Sequence, residues 1–92
     1  MATDGKKDPA KVLDRMRVLC SRREYCRGDI MKKLLTALEG DRDQAQRLMD
    51  QLISEKYIDD SRYASAYARD KSSIAGWGAV KIRYMLQAKG IS

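Results

Sequence analysis

Residues 25–38 carry the sequence YCRGDIMKKLLTAL, and this stretch decides how the chain folds. Its apolar side chains recur at intervals of three and four residues, so a helix would place them all on one face. They are Ile30, Met31, Leu34, Leu35 and Leu38. Gly40 follows where a helix commonly stops, and Asp29 lies one turn before Lys33, the favourable order for a pair of opposite charges. The pattern predicts an amphipathic helix that begins at residue 26 or 27.

The segments on either side of this stretch have the same spacing and their own start signals. Asp8 followed by Pro9 predicts the first turn of a helix that runs to about Arg22. Asp41, with Gln44 three residues later, predicts the start of a third helix that ends near residue 56. These three segments therefore form one predicted unit of three helices.

Two more helices are predicted in the second half of the chain. Asp59 and Asp60 form an acidic cap for the fourth helix, and a Gly-Trp-Gly turn centred on Trp77 separates it from the fifth. Gly90 followed by Ile91 fits the end of the fifth helix. The predicted buried faces consist of Tyr63, Ala64, Tyr67 and Ala68 in the fourth helix and of Val80, Ile82, Met85 and Leu86 in the fifth. No segment alternates like a strand, so the sequence predicts an all-α fold of five helices without a sheet.

An internal repeat relates the two halves. Tyr25 matches Trp77, Ile30 matches Ile82 and Leu34 matches Leu86, all at a shift of 52 residues. Self-similarity of this kind is typical of stacked helical units. It predicts a disordered tail at 1–7, a three-helix repeat at 8–57, and a second repeat at 58–92 that lacks its third helix.

Composition narrows the range of functions. The 92 residues allow one small domain, and 19 Lys and Arg against 13 Asp and Glu give a net charge of +6. Such a surface attracts polyanions or an acidic protein. The chain has no His, the most common general base, and its two cysteines, expected to be free thiols, are too few for a structural zinc site. The sequence therefore predicts neither an enzyme nor a cofactor or metal. Because no apolar stretch resembles a secretory signal or a membrane span, we expect a cytoplasmic protein without membrane contact.

Two basic sets are the candidate binding residues. The first surrounds the start of the second helix and consists of Arg22, Arg23, Arg27, Lys32 and Lys33. The second flanks the Gly-Trp-Gly turn and consists of Arg69, Lys71, Lys81, Arg83 and Lys89. Either set could hold phosphates, or simply form a solvated helix face. Basic residues around an exposed Trp77 could also stack bases of a single strand. We favour a core position for Trp77, because it matches Tyr25 in the repeat, and likewise for Tyr57, Tyr63 and Tyr67.

Three segments in order resemble the signatures of the RecX family, whose members regulate the RecA recombinase. The first runs from Leu19 to Leu34, the second from Tyr57 to Ala64, and the third joins residues 76–78, 82–86 and 89–91. The resemblance covers nearly the whole chain. It implies tandem three-helix repeats and a protein that binds RecA filaments on single- or double-stranded DNA without sequence specificity, depressing ATP hydrolysis and strand exchange. It also implies a role in DNA repair and the SOS response.

The chain departs from this family at two points. Cys26 replaces the usual Ser or Thr at the start of the second helix, and because sulfur accepts weakly, this cap should be poorer. Family members also continue through a third repeat, whereas this sequence ends after five predicted helices. We therefore expect Ile82, Met85 and Leu86 to fold back on the first repeat or to pack against a second copy in a homodimer. The rival function is a small helix-turn-helix module that binds DNA.

Overall fold

The computed structural model describes residues 8–91, and all regular structure in that part of the chain is helical. Helix α1 spans Pro9–Arg22, α2 spans Arg27–Ala37, α3 spans Arg42–Ser54, α4 spans Asp60–Ser73 and α5 spans Ala79–Ala88. The five-helix, all-α prediction is thus confirmed. The predicted tail at 1–7 lies outside the described residues.

The predicted helix starts agree closely with the observed ones because the caps are local. The Asp8 carboxylate accepts from the N–H of Ala10 at 3.0 Å, and Asp41 accepts from the N–H of Gln44 at 3.1 Å. Asp59 caps α4 by accepting from the N–H of Arg62 at 3.0 Å. Each bond satisfies a donor that a helix N-terminus otherwise leaves unpaired.

The helix ends confirm one prediction and refine another. Gly40 follows the end of α2 as predicted, with φ 86°, and Glu39 just before it is also left-handed, with φ 56°. Helix α3 ends at Ser54, and Lys56 takes the left-handed conformation with φ 68°. At the end of α5 the first residue past the C-cap is Gly90, as predicted. There the N–H of Ile91 donates to the Leu86 carbonyl at 3.0 Å.

Helices α1, α2 and α3 enclose the main core. It contains twelve buried side chains, of which five are fully inaccessible to solvent: Val12, Ile30, Leu34, Ala45 and Leu52. Ile58, just past α3, closes one end of this core. The partly buried Tyr25 and Tyr57 pack against its edge. Burial on this scale supplies most of the stability of a small helical domain.

Helices α4 and α5 pack on each other around a much smaller cluster. Tyr63 and Ile91 are buried there, Ala64, Tyr67 and Leu86 pack around them, and Cys26 comes from the start of α2. The predicted apolar position Val80 is instead 78% exposed. The molecule measures 52 × 22 × 21 Å, and its radius of gyration of 14.9 Å exceeds the value of about 12 Å expected for a compact chain of this length. None of the helices in residues 8–91 is long and apolar enough to span a bilayer.

Candidate binding surface

The first basic set gathers around Tyr25. The Arg23 guanidinium lies over the Tyr25 ring, 4.6 Å from its centroid, and the Lys33 ammonium lies 5.8 Å from it. Arg22, Arg27 and Lys32 are exposed. The ring is anchored by its partial burial against the main core, so it holds the cations at a fixed point of the surface.

Two members of the second basic set lie against Trp77, while a third, Lys89, lies 6.0 Å from the Tyr63 ring centroid. The prediction that Trp77 belongs to the core is wrong. Trp77 is only half-buried, and the ammonium groups of Lys81 and Lys71 lie 4.2 and 4.9 Å from its ring centroid. Tyr67 meets the indole edge-on with centroids 6.4 Å apart. The N–H of Trp77 donates to the Lys71 carbonyl at 2.9 Å, which fixes the turn after α4.

The tyrosines assigned to the core fall into two groups. Tyr63 is buried, as predicted, and stacks on Tyr67 with ring centroids 5.8 Å apart. Tyr57 and Tyr67 are half-buried and pack at the edges of the two clusters. Burial raises the pKa of the Tyr63 hydroxyl, so this phenol stays neutral across physiological pH.

An open cleft of about 590 Å³ brings parts of both basic sets together. Tyr63, Tyr67 and Trp77 supply its aromatic wall, while Arg23, Lys71 and Lys89 supply its cations. Three carboxylates, Glu24, Asp29 and Asp70, also line it. The remaining predicted basic residues, Arg22, Arg27, Lys32, Lys33, Arg69, Lys81 and Arg83, do not line this cleft. Lys32 and Lys33 border shallower depressions beside α1 and Tyr25.

Ion pairs across the two halves hold the walls of the cleft in place. Arg62 donates to Glu24 at 2.7 Å and also to the carbonyl oxygens of Lys56 and Tyr57, at 3.1 and 3.2 Å. The bond to Glu24 raises the pKa of the Arg62 guanidinium further above its usual range. Lys89 lies 3.5 Å from Asp29, which replaces the predicted pairing of Asp29 with Lys33.

The N-terminus of α2 receives its cap from the other half of the molecule. Cys26 makes no side-chain cap, in line with the weak acceptor expected there. Instead, the Asp60 carboxylate accepts from the N–H of Arg27 at 3.0 Å, across 33 residues of sequence. Asp60, predicted to cap α4 together with Asp59, therefore serves α2. Sequence analysis missed this bond, although the poor cap at residue 26 signalled that another acceptor was needed.

The two cysteines are free thiols, as expected. Cys26 is buried in one cluster with Tyr63 and Ile91, and Cys20 is half-buried beside the main core. Burial raises the pKa of both thiols, so both are protonated and weakly reactive at neutral pH. Among residues 8–91, no group of three or more Cys, Asp or Glu side chains could hold a metal ion.

The apolar face of α4 and α5 is partly covered. This agrees in part with the expectation that the face folds back on the first repeat. Ile82 is buried, while Met85 and Leu86 are half-buried. Only Cys26 reaches this cluster from the first three helices. A shallow groove of about 370 Å³ stays open between α4 and α5. It is lined by Ala64, Ala68, Ala79, Ile82, Arg83, Leu86, Gln87 and Ile91. Dimer formation through this groove stays a prediction, to be checked by light scattering.

The fold and these surfaces define a small all-α protein in which several Lys and Arg side chains lie over aromatic rings. Residues 59–92 match the second three-helix domain of RecX. A Regulatory protein RecX from Xanthomonas oryzae pv. oryzae (strain MAFF 311018) is 37% identical over 73 residues, which cover 79% of this chain and 44% of that protein. The Regulatory protein RecX of Cronobacter sakazakii (strain ATCC BAA-894) is 28% identical over 100 aligned positions, covering 99% of this chain and 60% of that protein. The chain belongs to the RecX family.

The chain matches only part of the length of these relatives. The chain spans 44% of the Xanthomonas oryzae protein and 60% of the Cronobacter sakazakii protein. No solved structure matches it.

Proposed function

We propose that this chain is a non-catalytic regulator that binds RecA filaments on DNA and lowers RecA ATP hydrolysis and strand exchange. The observation that carries the proposal is the pair of cation–aromatic clusters at Tyr25 and Trp77, on a chain of net charge +6 that belongs to the RecX family. A filament on DNA presents a linear array of phosphates, and cations that neutralise phosphates gain free energy by releasing counterions. We place this activity in the cytoplasm.

The shape of the molecule supports a linear partner. At 52 × 22 × 21 Å the chain is more than twice as long as it is wide, so it can contact a filament over several successive units. We also propose that residues 8–57 and 58–92 act as two repeats, because each part carries one aromatic ring with its flanking cations.

A helix-turn-helix reader of duplex DNA is less well supported. Such a module presents the N-terminal residues of one helix to the base edges. The second half of the chain approaches the start of α2: Asp60 caps it, and an added Cβ at Gly28 would lie 3.5 Å from the Lys89 carbonyl oxygen. On α3 two side-chain amides are already occupied, since Gln46 donates to Asp50 and Gln44 accepts from Arg47.

The test is RecA-dependent ATP hydrolysis on single-stranded DNA with and without the chain. We expect hydrolysis to fall as the chain is added. Reversal of three exposed charges of the first set, Arg22→Glu, Lys32→Glu and Lys33→Glu together, should weaken filament binding and flatten its dependence on salt between about 50 and 200 mM. The matched control reverses Lys11, Arg42 and Arg47, three exposed bases outside both sets.

The two variants separate a specific face from general charge. If both variants weaken binding equally, net charge alone carries the interaction and the first set has no special role. If the unmodified chain leaves ATP hydrolysis unchanged at every salt concentration, the regulatory proposal is wrong.

A further inference from the structure

Trp77 is the only tryptophan of the chain, and its position in the cleft is not explained by packing. A core tryptophan would be covered by aliphatic side chains, whereas Trp77 does not belong to the buried cluster of α4 and α5. Its neighbours are the edge of Tyr67 and two flexible lysine side chains. Because Trp77 is only half-buried and lysine side chains move readily, a flat ligand can reach the ring by displacing an ammonium group.

The charges around the ring favour an anionic ligand. Two of the three carboxylates that line the cleft are already paired, Glu24 with Arg62 and Asp29 with Lys89. Within residues 8–91, Lys71 and Lys81 make no ion pair that would hold them away from the indole, and both ammonium groups lie within 5 Å of its centroid. A ligand with a flat ring and a negative charge close beside it satisfies both features of the site.

We propose that the cleft binds one unpaired base of a single-stranded nucleic acid, stacked on Trp77, with Lys71 and Lys81 on the flanking phosphates. Tyr67, inclined at 67° to the indole plane, would fix the plane of stacking. The inference deepens the proposed function, on which it rests, by naming the component of the filament that this site contacts. A duplex does not expose base faces, and an acidic peptide would use the lysines but leave the ring faces unused.

The test uses the fluorescence of Trp77 in the full chain, without RecA. The probe is an oligothymidylate of about 16 nucleotides, the upper end of the usual site size for single-strand binding. Base stacking should quench the indole emission in a saturable manner. An abasic oligonucleotide of the same length and charge should bind through its phosphates with much less quenching.

Variants assign the binding to the ring. Trp77→Leu should weaken binding of a fluorescently labelled oligothymidylate about tenfold, the size expected for the loss of one base–aromatic stack. Trp77→Phe, which retains a ring, should recover most of that loss even if the leucine variant folds poorly. The matched control is Tyr84→Leu, which removes a 68% exposed aromatic ring of α5 that does not line the cleft.

The outcomes distinguish base stacking from phosphate contact alone and from binding of an acidic protein segment. Equal quenching by the abasic oligonucleotide would overturn base stacking in favour of phosphate contact alone. Stronger binding of a polyglutamate peptide than of the oligothymidylate would overturn it in favour of an acidic protein segment. Because RecA is absent, quenching by oligothymidylate together with unchanged RecA ATP hydrolysis would support this site while contradicting the proposed function.

Discussion

The first three helices and the last two use the same sequence pattern but reach very different degrees of burial. Ile30 and Leu34 in α2 are completely inaccessible, whereas their repeat partners in α5 are 8% exposed at Ile82 and half-buried at Leu86. The difference arises from α3, whose Ala45, Leu48 and Leu52 close the first core. The apolar pattern of two helices therefore does not by itself fix how deeply their side chains are buried, because a third helix is needed to cover them.

The thinner second cluster depends on the first unit for support. Cys26 packs in one cluster with Tyr63 and Ile91, and the Asp60 carboxylate accepts a hydrogen bond from α2. The ion pairs of Glu24 with Arg62 and of Asp29 with Lys89 also join the two halves. Three experiments test how unequal the halves are and how firmly they are joined.

The largest expected effect comes from truncating repeat-equivalent leucines. Leu34→Ala should lower the free energy of unfolding by about 3 kcal/mol, since it opens a cavity in a closed core. Leu86→Ala should cost about 1 kcal/mol, because this side chain is half-exposed and its site can relax. Urea unfolding followed by helical circular dichroism measures both. Leu34→Met and Leu86→Met, which conserve volume, are the controls. Equal losses for the two alanine variants would mean that the second cluster is as closed as the first.

A smaller effect is expected from the bond between the halves. Asp60→Ala leaves the N–H of Arg27 without its acceptor and should lower the free energy of unfolding by about 1 kcal/mol. Asp60→Asn retains an acceptor oxygen and should lose much less. Hydrogen exchange of the Arg27 amide reports the bond directly, and it should speed up in the alanine variant alone.

A second variant shows whether the cap is the cause. In the Asp60→Ala background, Cys26→Ser places a hydroxyl acceptor at the N-cap itself, so part of the lost stability should return. If Cys26→Ser has the same effect with and without Asp60, the two residues act independently and the long-range cap has no energetic role.

The smallest effect is a dependence on pH at the start of α4. The N–H of Arg62, bonded to the Asp59 carboxylate, lowers the pKa of that group below its ordinary value. A carboxylate with a lowered folded-state pKa stabilises the fold above its unfolded pKa of about 3.9, and this stabilisation is lost as the pH falls through the folded value. Asp59→Asn retains the cap without the charge, so it should be less stable than the unmodified chain at neutral pH and approach it in acid.

Urea midpoints at neutral pH and near pH 3 measure this difference. Asp50→Asn, which removes an exposed carboxylate of α3, is the control for the loss of one negative charge. A gap between Asp59→Asn and the unmodified chain that stays constant across this range would show that the charge of Asp59 does not contribute.

Local signals were sufficient to predict the helices but not the surfaces they form. Asp8, Asp41 and Asp59 cap the helices that follow them, because a cap depends on residues two or three positions away. Arg62–Glu24 and Arg27–Asp60 join residues 38 and 33 positions apart, and no periodicity encodes such a separation. The core position predicted for Trp77 was wrong because the repeat matched it to Tyr25, and that ring is itself only partly buried at the edge of the main core.

The segment that leads from α3 to α4 contains a strained residue that restrains the backbone there. Lys56 adopts φ 68° although it carries a Cβ, a conformation that costs about 1 kcal/mol in a residue other than glycine. Its carbonyl oxygen accepts from Arg62, so the strained peptide is braced from the side of α4. A glycine at this joint would let the two units swing, whereas a lysine restricts the backbone to a narrow well. The backbone at Lys56 is therefore restrained twice, by its own narrow φ well and by the Arg62 side chain, so the chain has little freedom to pivot at this residue.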